Sequence, residues 1–435
     1  LSAVRYLGVD VDDALELSET FPRGIQQTAV FKRLGQENSQ QIADRRCLLT
    51  AFLYPRLMPL DLFAGNRPDS ALHPQFLKTR DDPKMAPARA MLNEIAATMH
   101  DPDGNLIEQF QTHGFDARTF EIYLQALFTE AGHTIDRSHK RPDYLITRQG
   151  LTVAVEAVTA NPTPKKDYQP YDPYPTLGPK TKEEAMQHLK HEVAIKLGSP
   201  LFTKLKKRYW DMPQVAGRPF VIAIETFHGG TLSLSSTALS QYLFGIDHSY
   251  RFNEDGSLIV EGTTIEKHIG SKEIPSNFFA QPEAENISAI LFSNAGTVPK
   301  FARIGHQGAH RSDAVRMVRY GNCLDPDPNA INPEHFAFEI GDPDVPPEPW
   351  RDGAVLIHNP NALYPIPEGW MGVGSEENLA PSGTVISSYN DPFQPFASMT
   401  AMFDGSTSDD AMWAGIELQM TMLQMGQAVA DAWRQ

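Results

Sequence analysis

The chain has 435 residues, and 38 Lys and Arg against 54 Asp and Glu give a formal net charge of −16. With 41% hydrophobic and 21% charged residues it has the composition of an ordinary globular protein, long enough for roughly two to three domain equivalents of about 150 residues each. Two cysteines, Cys47 and Cys323, exclude a disulfide framework and a Cys-rich zinc site and fit a reducing, cytoplasmic setting. No stretch of about 18 apolar residues offers a membrane span, and the opening Leu1-Ser2-Ala3-Val4-Arg5 lacks a signal-peptide apolar region.

In chain order, residues 1–112 read as a mainly helical accessory region. Ser39–Phe63 carries Ile42, Leu48, Leu49, Phe52 and Leu53, and Ala86–His100 carries Met91, Leu92, Ile95 and Met99 at helical spacing. Pro55, Pro59, Pro68, Pro74 and Pro83 punctuate the links. Phe115–Ala131 is an amphipathic helix with Asp116 as candidate N-cap and Gly132 where a C-cap glycine belongs. Strands over Asp143–Thr147 and Leu151–Val158 flank Arg148-Gln149-Gly150. A proline-rich loop spans Asn161–Pro179, helical patterns cover Lys180–Leu197 and Leu201–Trp210, and Phe220–Ile224 and Ile287–Phe292 suit buried strands.

This order predicts an α/β core over 113–300, a mixed central sheet flanked by helices. Residues 301–435 read as an acidic, loop-rich C-terminal extension ending in a helix. Asp-Pro-Asp-Pro at 325–328 and Asp-Pro-Asp at 342–344 lack the ligand spacing of a Ca²⁺ loop and read as turns. The closing helix, Asp409–Trp433, bears a core stripe of Trp413, Ile416, Met420 and Leu423.

The net charge is unevenly spread. Arg137–Arg208 holds 14 basic and 7 acidic residues, a local +7, whereas Asp325–Gln435 holds 17 acidic residues against Arg351 and Arg434, a local −15. Either block suits a solvated surface. The basic one also suits contact with a polyanion, which the acidic one would repel.

The stretch RPDYLITRQGLTVAVEAVT (141–159) carries the chemistry. If Gln149-Gly150 form a two-residue hairpin turn, cross-strand partners have numbers summing to 299, and Asp143 faces Glu156. Two carboxylates so close call for compensation, which a divalent cation such as Mg²⁺ provides. Glu156 also interrupts a strand that is otherwise apolar on both faces. Glu121, at the edge of the apolar face of the preceding helix, can turn toward the pair. Plainer roles stay open: Asp143 as a strand-end residue, Glu156 paired with Arg141 or Arg148, Glu121 partly exposed.

On these residues the chain resembles the PD-(D/E)xK nuclease superfamily, the restriction-endonuclease-like fold. Pro142-Asp143 matches the PD element, Glu156 the acidic residue on the next strand and Glu121 the acidic residue on the first core helix. The likeness covers roughly 113–230. Val158 stands where the family has its lysine. Some members move that lysine to a nearby helix, and Lys204 in Lys204-Leu205-Lys206-Lys207-Arg208-Tyr209 is the candidate, although Lys206 and Arg208 lie nearer the edges of the Leu201/Leu205/Tyr209 face.

The resemblance implies Mg²⁺- or Mn²⁺-dependent phosphodiester hydrolysis, with Glu121, Asp143 and Glu156 as metal ligands and Asp143, Glu156 and Lys204 as catalytic residues. It implies a nucleic-acid partner, DNA ahead of RNA, and a bacterial defence or DNA-processing setting, and it admits a dimer. The alternative, raised by Val158, is an inactive nuclease-like module that binds nucleic acid or a protein. Tyr168, Tyr171, Tyr174, Tyr209 and Trp210 interleave with the basic segment as core residues or base-stacking groups.

Other motifs carry less. His306 and His310 flank glycines and read as a polar loop, and His188 and His191 as a solvated helix face. Ser235 and Ser236 lack a GxSxG elbow, and no Walker A, GxGxxG or kinase set occurs.

Overall fold

The structure, a computed structural model, describes residues 60–161, 182–227, 236–327 and 329–434. Most of the Ser39–Phe63 pattern, Cys47, the bulk of the proline-rich loop with Tyr168, Tyr171 and Tyr174, and Ser235 lie outside them.

Turn chemistry sets up the first half of the core. Short helices α1 (Pro74–Asp81), α2 (Ala86–Ala96) and α3 (Leu106–Gln111) lead into α4 (Phe115–Glu130). Residues Thr119–Phe128 of α4 are all buried, the polar Thr119, Glu121 and Gln125 included, so the helix is enclosed around its whole circumference there. It ends in a Schellman motif: Gly132 has φ of 79°, and the His133 N–H donates to the Phe128 carbonyl at 3.0 Å. The expected N-cap differs. The helix begins at Phe115 with Gly114 at the cap, which places Asp116 inside the first turn.

Strands β1 (Thr134–Asp136), β2 (Tyr144–Arg148) and β3 (Leu151–Ala160) follow. Gln149 and Gly150 have φ of 52° and 79°, as a type I′ turn requires. The register is the expected one, from Arg148↔Leu151 to Tyr144↔Val155.

Helix α5 (Lys182–Gln187), a π-helical turn (His188–Glu192) and α6 (Val193–Leu205) form one run, where the sequence suggests a break near Gly198-Ser199-Pro200. The glycine serves packing, since a Cβ on Gly198 would lie 2.6 Å from Cζ of Tyr242. Pro200 lies inside α6 and takes one backbone donor out of the run.

The chain then forms β4 (Phe220–Thr226), α7 (Thr237–Phe244), two hairpins, β5 (Ile246–Phe252) with β6 (Leu258–Thr264) and β7 (Lys267–Ile269) with β8 (Glu273–Pro275), then β9 (Ala289–Ser293) and α8 (Val298–Gln307).

The region after 300 departs most from the sequence reading. In place of a loop-rich extension it holds six strands: β10 (Val315–Cys323), β11 (Glu334–Glu339), β12 (Ala354–His358), β13 (Ser375–Leu379), β14 (Val385–Tyr389) and β15 (Pro395–Asp404). Three of them complete an eight-stranded mixed sheet of order β1-β2-β3-β4-β9-β12-β13-β14. A second sheet has the order β11-β10-β15. The expected turns are present between the strands, with Asp325 accepting from the Asp327 N–H and Asp342 from the Asp344 N–H, both at 2.9 Å.

The central sheet is parallel at β3/β4 and β4/β9 and is covered on both faces. One core joins α2, α4 and α8 to one face and takes in residues from Leu62 to Val373, so it crosses the expected boundaries at 112 and 300. The other sets α6 and α7 against Ile222, Ile224 and Ile290. The terminal helix α9 (Asp409–Arg434) packs Met412, Ile416 and Met420 on Val318 and Tyr320 of β10, with Trp413 and Leu423 beside them as expected of the stripe. No helix among the described residues is long and apolar enough to cross a membrane.

Candidate functional site

Strand alternation puts Glu156 on the face of β3 that meets α6, among Ala154, Val158 and Ala160. The carboxylate is buried, at 5% exposure. Its Oε1 accepts two hydrogen bonds, from Lys204 Nζ on α6 and from the Tyr209 hydroxyl, both at 2.6 Å. Its Oε2 is buried with no hydrogen-bond partner among the described residues. An unpaired carboxylate oxygen in the interior is costly, on the order of 1–3 kcal/mol.

Asp143 stands one step beyond the last hydrogen-bonded pair of the hairpin, opposite Glu156 in the extended register. Its Oδ2 accepts from the Ala157 N–H at 2.8 Å. Burial pushes the carboxyl up to about 7, with the charges of Glu121 and Glu156 adding to the effect and the Ala157 N–H and Lys204 opposing it. Each carboxylate thus has one oxygen fixed by protein donors. The other, Oδ1 or Oε2, takes no hydrogen bond among the described residues.

Glu121 is close enough for its charge to act on Asp143, but its oxygens are occupied. Arg118 Nη1 donates to both at 2.8 and 2.9 Å, and Arg137 Nη2 donates to Oε2 at 2.7 Å. Arg137 also lies 4.6 Å over the ring of Tyr144, whose hydroxyl donates to the Glu121 carbonyl at 2.6 Å. No group of three or more His, Cys, Asp or Glu side chains is gathered to hold a metal ion among the described residues. A carboxylate pair with one lysine is therefore assembled, and a three-carboxylate cage is not.

The structure brings Lys204 to Glu156 rather than Arg141 or Arg148, which the sequence also allowed. Arg208 pairs instead with Asp211 and Glu283. Arg141, two residues before Asp143, lines an open cleft of about 520 Å³ with Asp103, His139, Lys140 and Gln214. Lys140 and Arg141 bring positive charge to this lining, Lys140 pairing with Asp103 at 2.9 Å, and both belong to the segment whose net charge is +7.

Two buried features escaped the sequence reading. Tyr209 was one of several aromatics in a basic stretch, with no signal for its bond to Glu156. Glu225 on β4 is fully buried, and burial raises its pKa well above the carboxylate range, with the Asp116 charge adding to the shift and the Gly296 N–H and Lys300 opposing it. Burial also pushes Asp116 up to about 6. Among the described residues the histidines gather into no metal site. His306 is buried within α8, which tolerates Gly305 because the backbone of Pro87 approaches it closely, and His310 lies 2.6 Å from Glu94.

Comparison of the chain with protein-family models, with curated proteins and with solved structures gave no match. The functional reading therefore rests on the geometry described above.

Proposed function

We propose that the Asp143/Glu156/Lys204 cluster hydrolyses phosphodiester bonds of nucleic acid with the help of one divalent cation, Mg²⁺ or Mn²⁺. One observation carries the reading: Glu156 Oε2 is buried without a partner beside Asp143, while Lys204 and Tyr209 both bind Oε1. Oxygens left free in this way suit a hard cation, which takes carboxylate ligands and completes its shell with water and phosphate oxygens. The ion would be held by Asp143 and Glu156 and, when bound, would acidify a ligated water and offset phosphate charge. Glu121 would act differently from the family pattern. Its carboxylate is held by Arg118 and Arg137, while its main-chain carbonyl accepts from the Tyr144 hydroxyl at the start of β2.

Lys204 supplies the positive charge that the family's lysine would supply from position 158. Its ammonium can orient water or stabilise the growing charge on the phosphate. The cleft lined by Lys140 and Arg141 offers a path for the polyanion backbone, which gives affinity without reading sequence.

A second reading, an inactive nuclease-like module that binds nucleic acid or a protein, draws on the diversion of Glu121 to two arginines and on the lack of a three-ligand group among the described residues. Plasmid DNA and RNA incubated with Mg²⁺, Mn²⁺ or EDTA separate the two. Cleavage that needs the metal and disappears in Asp143→Ala and Glu156→Ala fits the first. Cleavage that persists in both variants sinks the site. No cleavage, with salt-sensitive and metal-independent binding, favours the second.

A further inference from the structure

Tyr209 is the buried group at the site to which the nuclease reading gives no role. It follows the end of α6, and Arg208 just before it adopts a left-handed conformation with φ of 50°. Arg208 is held there by its pairs with Asp211 and Glu283, and the chain reverses so that Tyr209 points back at the sheet. The ring is fully buried and stacks on Phe220 at 5.3 Å. Its hydroxyl reaches Glu156 Oε1, the oxygen that Lys204 also binds.

Two donors on one oxygen fix both the torsion of the carboxylate and which oxygen stays open. Lys204 alone would not do so, because a flexible ammonium can swing between the two oxygens. A phenol on a ring wedged against Phe220 cannot follow. The hydroxyl has a single proton, and it is given to Glu156 Oε1.

We infer that Tyr209 is a positioning residue that turns Glu156 Oε2 toward Asp143 and so sets the affinity of the pair for a divalent cation. This rests on the proposed metal-dependent reading and gives it a determinant outside the carboxylates. The chemistry is that of an outer partner orienting a metal ligand, whose loss typically weakens binding about 10- to 100-fold.

The test is Mn²⁺ binding to the full chain, read by the loss of the free-ion electron paramagnetic resonance signal, for wild type, Tyr209→Phe, Asp143→Asn, Glu156→Gln and Tyr123→Phe. Phenylalanine keeps the packing on Phe220 and removes only the hydroxyl. Tyr123→Phe is the control for loss of a buried hydroxyl elsewhere, since that group donates to the Trp350 carbonyl. The expected result is roughly tenfold weaker binding in Tyr209→Phe and unchanged binding in Tyr123→Phe. If wild type binds and Tyr209→Phe binds within twofold of it, the positioning role is overturned and the metal reading stands. If wild type does not bind, or Asp143→Asn and Glu156→Gln bind as wild type does, the metal reading fails and the inference with it. Should Tyr209→Phe not fold, tyrosine Cζ resonances of the ¹³C-labelled wild type on addition of Mg²⁺ report the same contact, and no shift at metal saturation overturns the role.

Discussion

Two buried clusters of charge in this molecule are built differently. Between α8 and the second sheet, Glu348 accepts a bidentate pair from Arg303 at 2.7 and 2.8 Å and lies 3.2 Å from Lys300 and 3.5 Å from Arg319. Asp352 completes the network, 3.3 Å from Arg319, with its carbonyl accepting from Lys300 at 2.8 Å. Three cations meet two carboxylates, and no side-chain polar atom of the five is left buried without a partner. The surrounding cations hold the Glu348 carboxyl well below its ordinary range, whereas burial outweighs Arg319 and Lys300 at Asp352 and raises it. At Asp143 and Glu156, two carboxylates meet one ammonium, an oxygen is orphaned, and the Asp143 carboxyl is pushed upward.

The contrast separates a charge cluster balanced by cations within the protein from one that is short of positive charge. A fully compensated network gives no reason to look for a ligand, however many charges it contains. A pair short of positive charge has a cost that a cation would relieve. Glu225 is a third case, a single carboxyl whose burial, with the Asp116 charge, raises its pKa against the weaker opposing effects of the Gly296 N–H and Lys300.

The largest effect expected is at the compensated cluster. Glu348→Ala would strand Arg303, Lys300 and Arg319 and destabilise the fold by about 3–5 kcal/mol in urea denaturation; a loss under 1 kcal/mol would mean that the network is less dry than its burial indicates. Lys204→Met comes next. Under the metal-dependent reading it lowers Mg²⁺-supported cleavage by about 10²-fold with little change in substrate binding, and equal cleavage by both proteins would leave Lys204 a purely structural partner of Glu156.

Glu225→Gln should act in the opposite sense to Glu348→Ala. The folded-state pKa of Glu225 is raised, so its contribution to stability is complete below the ordinary carboxylate range, near pH 4, and is lost as pH rises. The glutamine variant should match wild type near pH 4 and exceed it by about 1–2 kcal/mol at pH 8. A gap that does not grow with pH would show that Glu225 has a charged partner. The smallest effect is expected at the hairpin that sets Asp143 against Glu156. Gln149 has φ of 52°, which asparagine tolerates better. Gln149→Asn should stabilise by about 0.5 kcal/mol in the same denaturation assay, and a loss of stability would mean that the glutamine side chain makes a contact of its own.

What could be read in the sequence was local. The Gln149-Gly150 turn, the 299 register and the Gly132 cap follow from backbone sterics within a few residues, so they were legible without a fold. The α/β class and the α9 stripe followed from hydrophobic period. The strands after 300 were not legible, because short strands among Pro, Gly and Asp are defined by neighbours supplied from far away, as β12 is by β9.

For the candidate site, sequence by itself determined that Asp143 and Glu156 face each other, since a two-residue turn leaves one register. It could nominate Lys204 only among its basic neighbours, because the choice depends on how α6 lies across β3. Tertiary structure alone decided that Lys204 and Tyr209 share one oxygen of Glu156, that Arg118 and Arg137 occupy Glu121, and that one carboxylate oxygen is left bare. Those contacts join side chains 16 to 53 positions apart, apart from the Arg118–Glu121 turn. Pairing of that kind is set by the packing of helices on the sheet, and no local pattern in the chain encodes it.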